Sequence, residues 1–317
     1  MTGKQPMSKR AYSGVWSAAP TPFTSDMTVD EASIERMVEH HLRLKIDGLF
    51  LCGTCGEGPW MTDSQRRAVV RLTVKAVQGR IPIAVQVTDN SAARIIDNMS
   101  RVADEGASIA VIAPPNFLLN ATPGNVTALF MEAIDASPLP VGVYARSGGA
   151  VPVALDTYRA CYAHDNVCLV KDSTRDPAHR DMALTAREKR PVLALLNGDE
   201  FDCASYIAAG YDGLLLGGGV FNGCMARAIL EAVQADDSEL ARDLQARMTS
   251  LMYDVFGGEE IACWLTGQKQ LLVDMGIFST AQSYLRYPMT DACRKAISSA
   301  LEREKDFLLP RSPDPQV

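Results

Sequence analysis

Lys171 is the single charged side chain inside the apolar run Val167-Cys168-Leu169-Val170, ahead of Asp172-Ser173. The run is short, rich in β-branched and small apolar residues and free of helical spacing, so it reads as a buried strand. Burying an ammonium is costly, which favours a lowered pKa and a larger share of neutral amine. A neutral amine attacks carbonyl carbon, and the product is a Schiff base. The competing reading is structural: a strand-end lysine whose head reaches solvent or pairs with Asp172. The decision turns on whether other reactive residues converge on the same place.

Short apolar runs alternate with amphipathic patterns from residue 14 to about residue 235. Strands are predicted over 14–18, 47–52, 81–87, 109–113, 140–144, 166–172, 191–197 and 212–217. Helices are predicted near 30–45, 62–78, 91–106, 124–136, 154–163, 176–189, 200–209 and 222–235. Eight such units in a row argue an α/β fold of the (β/α)8 barrel type, with strands covered on both faces. A doubly wound sheet would carry a glycine-rich fingerprint after its first strand, where Ala18-Ala19-Pro20-Thr21-Pro22-Phe23 stands instead. Beyond 235 the pattern is helical (238–255, 259–274, 290–305), so the expected organisation is a catalytic barrel over 11–235 and a three-helix extension over 236–308. Residues 1–10 and 309–317 read as disordered tails.

A barrel enzyme places its reacting groups at the carboxyl ends of the strands. Those ends read Gly53-Thr54-Cys55-Gly56-Glu57, Pro114-Pro115-Asn116-Phe117, Tyr144-Ala145-Arg146-Ser147, Lys171-Asp172-Ser173, Gly198-Asp199 and Gly217-Gly218-Gly219. Adjacent strands lie about 4.8 Å apart, which puts Tyr144 beside Lys171, where a phenol can move protons at an imine or a substrate hydroxyl. The Gly-Thr-Cys-Gly turn exposes N–H groups that can hold a carboxylate, and Arg146 can add a charged clamp. Each residue alone has a structural reading: a strand tyrosine, a sharp turn, a surface pair. Convergence at one end of one barrel favours chemistry.

The composition narrows the class further. The chain has 317 residues, 47% hydrophobic and 22% charged, with a net charge of −7 and no basic stripe, which argues against a nucleic-acid or anionic-membrane surface. Neither a signal-peptide core nor an apolar stretch of about 18 residues is present, and the expected location is the cytoplasm. Eight scattered cysteines fit free thiols in a reducing compartment. Cys52-Gly53-Thr54-Cys55 has C-x-x-C spacing, but lies at a strand end without a second pair, so neither a redox nor a zinc role is expected. His40, His41, His164 and His179 form no ligand set, and no metal is expected.

Taken together, these residues resemble the dihydrodipicolinate synthase / N-acetylneuraminate lyase family of class I, Schiff-base-forming barrels. The resemblance rests on the opening strand with its Thr21-Pro22-Phe23 turn, Gly53-Thr54-Cys55-Gly56-Glu57, Tyr144, Val170-Lys171-Asp172 and Gly198-Asp199. It implies that Lys171 forms an imine with the C2 ketone of a keto acid. Thr54 and Cys55 would hold the C1 carboxylate, and Tyr144, hydrogen-bonded to Thr54, would shuttle the proton. Arg146, Asp172, Ser173 and Asn222 are its candidates for distal substrate groups. It also implies no cofactor and a homo-oligomer, dimer or tetramer.

Departures from the family pattern bear on the reaction. Cys55 replaces a hydroxyl residue, and Phe117 stands where a relay tyrosine is common. Strand 5 continues as Tyr144-Ala145-Arg146, resembling the keto-deoxyglucarate dehydratase branch, and Gly217–Gly219 would leave room for a longer substrate. The expected activity is therefore aldol cleavage or dehydration of a pyruvate-like or 2-keto-3-deoxy sugar acid. The alternatives are condensation of pyruvate with aspartate semialdehyde (4-hydroxy-tetrahydrodipicolinate synthase) and a catalytically silent keto-acid-binding barrel.

Overall fold

A computed structural model describes residues 11–148 and 151–310. Eight parallel strands close into a barrel in sequence order: β1 (Gly14–Ala18), β2 (Gly48–Leu51), β3 (Ile83–Gln86), β4 (Ile109–Ile112), β5 (Val141–Arg146), β6 (Val167–Ser173), β7 (Ala194–Asn197) and β8 (Gly213–Leu216). Around it run α1 (Glu31–Arg43), α2 (Asp63–Val77), α3 (Ala92–Asp104), α4 (Pro123–Asp135), α5 (Leu155–Ala163), α6 (Pro177–Lys189), α7 (Cys203–Ala209) and α8 (Gly219–Gln234). The extension comprises α9 (Ser238–Phe256), α10 (Trp264–Asp274), α11 (Asp291–Arg303) and the one-turn α12 (Lys305–Leu308). This is the predicted barrel with a C-terminal helical extension.

Period-2 alternation divides the strands between two cores. Trp16, Phe50, Ile109, Val111, Tyr144, Leu169, Leu196 and Leu215 point inward with alanines between them. The β-branched and leucine positions between these face the helices and join one larger core with the extension. Gly48 is required under the Trp16 indole, because a Cβ there would come within 2.5 Å of the ring.

Local signals set the helix starts. The capping boxes Thr62–Gln65 and Thr122–Asn125 open α2 and α4, and Asp30 caps α1 through the Ser33 N–H. Some boundaries differ from the sequence expectation. The helix expected from 259 starts only at Trp264, because Gly257, Gly258 and Ile261 take left-handed backbone. The helix expected from 200 starts at Cys203, because Asp199–Asp202 form a hydrogen-bonded turn. Most of both expected tails (1–10 and 311–317) lies outside the described residues, but Leu309 packs against the core and belongs to the fold. No helix among the described residues is long and apolar enough to cross a membrane.

Two adjacent histidines fasten α1. His40 Nε2 donates to the Val220 carbonyl on α8 (2.8 Å), and His41 Nε2 meets Ser17 Oγ on β1 (2.9 Å). Both side chains are buried, and His40 Nδ1 has no partner among the described residues. Burial pushes His40 down to about 4, and burial with its neighbour pushes His41 down to about 3. The unfolded chain takes up both protons near pH 6.5 while the folded chain does not. Stability is therefore full above about pH 6.5 and falls as pH drops towards 4, by about 1.4 kcal/mol per pH unit per histidine. Urea denaturation midpoints should drop between pH 7.5 and pH 5, and His41→Asn should flatten that slope. A wild-type midpoint unchanged across this range would refute the assignment.

Candidate active site

The β5–β6 register pairs Tyr144 with Lys171 and Arg146 with Ser173, so all four project to the inner face at the carboxyl end of the barrel. Lys171 is 5% exposed, and its Nζ lies 4.4 Å from the Tyr144 ring centre and 4.9 Å from that of Phe50 on β2. Such contacts stabilise a cation by about 0.5–2 kcal/mol. Among the described residues the amine makes neither a hydrogen bond nor an ion pair. It is buried and flanked by two rings.

The expected bond between Tyr144 and Thr54 is absent. The Tyr144 ring instead packs edge-on against Phe50, with centroids 6.1 Å apart. Thr54 sits in the turn beyond β2, where Cys52 takes a positive φ of 56° and the chain folds back on itself. Gly58 is required there, since a Cβ would fall 1.8 Å from the Cys52 carbonyl oxygen. Thr21 Oγ1 donates to the Gly56 carbonyl (2.6 Å) and closes the turn. The N–H groups of Thr54 and Cys55 have no partner within the described chain, which leaves two adjacent donors for a carboxylate. Burial raises both the Cys52 and Cys55 thiols to about 12, so neither is a thiolate near neutrality.

Glu57 ends this turn, fully buried, and its carboxylate accepts from Lys269 Nζ, Ser283 Oγ (2.9 Å) and the Tyr284 N–H (2.6 Å). Lys269 is equally buried and also donates to the Gln282 carbonyl (2.7 Å). Burial lowers its pKa to about 8 against the opposing attraction of Glu57. One residue earlier on α10, Gln268 Nε2 donates to the Gly217 carbonyl after β8 (2.9 Å). The extension thus holds two loops of the site.

Asp172 is a correction. Being next to Lys171 on a strand, it points outward, where its carboxylate accepts from Thr174 N and Oγ1, His179 Nδ1 (3.0 Å) and Tyr211 OH (2.6 Å). These donors hold its pKa below the ordinary carboxylate value despite burial. No substrate group can reach it, so its place is structural. Arg146 stands at the rim, half-buried, and donates to Asn116 Oδ1 (3.1 Å). Ser173 is packed beside Lys171, as a Cβ on Gly198 would meet both Ser173 Oγ (2.2 Å) and Lys171 Cε (3.0 Å).

Asn222 is buried in the first turn of α8, and its Nδ2 donates to Glu200 Oε2 (3.0 Å). Glu200 was not singled out by the sequence, although it directly follows Gly198-Asp199. Its oxygens also accept from the Gly218 N–H (3.0 and 2.9 Å). Burial raises its pKa, opposed by these donors and by Lys171. The triple glycine therefore does not leave open room. A Cβ on Gly217 would sit 2.7 Å from Glu200 Oε1 and 2.8 Å from Cys55 Sγ, and one on Gly219 would strike Ser17 on β1. Gln86 was missed too. It closes β3, faces inward in register with Val111, and its buried Oε1 has no partner. Among the described residues no set of three His, Cys, Asp or Glu side chains could hold a metal ion.

The sequence profile of the Dihydrodipicolinate synthetase family matches residues 11–303. A 4-hydroxy-tetrahydrodipicolinate synthase of Stenotrophomonas maltophilia strain K279a is 28% identical over 240 residues, covering 75% of this chain and 80% of that one. The structure of dihydrodipicolinate synthase from Bacteroides thetaiotaomicron superposes with a TM-score of 0.84 at 23% identity, over 93% of this chain and 99% of that one. An N-acetylneuraminate lyase from Mycoplasma synoviae gives 0.79 at 18% identity, over 94% and 98%. These two structures share the fold described above.

The Glu57–Lys269 pair generates a stability prediction. Lys269→Met leaves a buried carboxylate without its cation and should cost about 3–5 kcal/mol. Adding Glu57→Gln should recover much of that loss, since the uncompensated charge is then gone. Thermal denaturation of the two variants measures both effects. A Lys269→Met protein as stable as wild type would mean that the pair does not hold the loop.

Proposed function

Because the chain belongs to the dihydrodipicolinate synthetase family, we propose that it is a class I lyase whose Lys171 forms an imine with a 2-keto-3-deoxy sugar acid or a related hydroxy-keto acid. The single observation that carries this reading is Lys171 itself: buried, unpaired and in register with Tyr144 inside the barrel mouth. The Lys171 amine adds to the C2 ketone and water leaves, giving the imine. The free N–H groups of Thr54 and Cys55 suit the C1 carboxylate, and Tyr144, beside Lys171, moves the proton in this reading. The imine then accepts electrons. In aldol cleavage the C3–C4 bonding pair flows into it, releasing an aldehyde and leaving an enamine of pyruvate. In dehydration a C3 proton leaves first, and the enamine expels the C4 hydroxyl. A protein lysine as electron sink needs no cofactor.

The synthase reading draws support from the Stenotrophomonas relative, which is a 4-hydroxy-tetrahydrodipicolinate synthase. Against it stands Phe117, 63% exposed on the loop after β4 and without a hydroxyl for a proton relay. Leu119 on the same loop is 73% exposed, which supports a homo-oligomer that covers this face.

Borohydride with pyruvate should fix the ligand's mass on wild-type protein, and Lys171→Ala should abolish the adduct in intact-mass spectra. An adduct surviving that substitution would refute the imine. Tyr144→Phe should slow turnover by about 10²-fold or more while trapping continues, the usual size of a lost acid–base group. Incubation with a panel of keto-deoxy sugar acids separates the reactions, since cleavage releases pyruvate and dehydration a keto-acid semialdehyde. A synthase rate on the order of 10 s⁻¹, a typical enzyme value, would return the chain to condensation.

A further inference from the structure

Resting on the keto-acid reading above, we infer that this barrel selects substrates whose distal chain is uncharged and hydroxyl-bearing, and that Glu200 excludes a distal carboxylate or phosphate. The first turn of α8, a helix of 16 residues, is the place beside the mouth where a substrate anion would find free N–H groups and the positive end of a helix. That place is already taken. Glu200 accepts from the Gly218 N–H with both oxygens and from Asn222 Nδ2, and the missing side chains of Gly217 and Gly218 make the room it occupies. A second anion arriving there would meet a fixed carboxylate.

The remaining polar atoms are acceptors as well. Asn222 must turn its Nδ2 to Glu200, which leaves its Oδ1 buried without a partner. Gln86 Oε1, on the inner face at the end of β3, is equally buried and unpartnered. Buried acceptors without donors are costly, and hydroxyl groups of a ligand satisfy them where carboxylate or phosphate oxygens cannot. Of the cations nearby, Lys171 is committed to the ketone in the proposed reaction and Arg175 to Asp199 at 2.9 Å, while Arg146 is held out at the rim by Asn116.

Calorimetric titration of the wild-type protein with 2-keto-3-deoxygluconate, its 6-phosphate and the dicarboxylate 2-keto-3-deoxyglucarate tests the selection. The neutral-tailed acid should bind at least tenfold more tightly than either acid with a charged tail. Glu200→Gln should narrow that ratio by tenfold or more, and Gln86→Leu should weaken the neutral-tailed acid several-fold relative to pyruvate. Equal or tighter wild-type binding of the two charged-tail acids would overturn the inference, as would an unchanged ratio in Glu200→Gln. If that variant does not fold, the wild-type ratio and Gln86→Leu still decide. Borohydride adducts are read separately on the same samples, so a missing imine sinks the lysine chemistry while the affinity ratio still judges the selection.

Discussion

A carboxylate and an ammonium, both sealed from water, hold the site's geometry together. Glu57 and Lys269 come from opposite ends of the chain, and each would be strongly unfavourable where it lies without the other. Ser283, Tyr284 and Gln282 complete their hydrogen bonds, so the pair is fully solvated by protein. Because Glu57 sits two residues beyond Cys55, the position of the free Thr54 and Cys55 N–H groups depends on this distant lysine. The extension is therefore part of the site's framework and not an appendage.

Strand β6 illustrates how one segment can serve two environments. Lys171 turns inward among aromatic faces with no hydrogen-bond partner among the described residues, while Asp172 turns outward into four donors. The first is left chemically available and the second is saturated. Their separation is a consequence of the two-residue pleat, and it prevents the neighbouring carboxylate from neutralising the amine.

The barrel was legible because strand and helix periods alternate cleanly, and Lys171 because a charge inside an apolar run is conspicuous. The same logic applied to Ile81-Pro82-Ile83-Ala84-Val85-Gln86-Val87 would have flagged Gln86, whose neutral amide made it less obvious. Glu200 and Lys269 were harder. Glu200 lies in a loop and Lys269 on an amphipathic helix, where charge is ordinary, and only the folded chain brings one to the start of α8 and the other to Glu57. Asp172 follows Lys171 in sequence, but the pleat turns it to the opposite face, which a resemblance read along the chain does not reveal. Gly217–Gly219 misled for a related reason, since a missing side chain signals room without saying what fills it.

Gln268 and Lys269 are consecutive residues on α10, and they fasten the loops after β8 and β2 respectively. This has a consequence for the order of events during synthesis. Chains emerge from the ribosome amino end first, and all eight strands precede α10 by nearly fifty residues or more. A nascent barrel can thus close around its buried lysine while the Thr54–Cys55 turn is still unanchored. The Thr54–Cys55 turn is therefore fixed only after the barrel that surrounds Lys171 has been made, so the two halves of the mouth are set at different stages of synthesis.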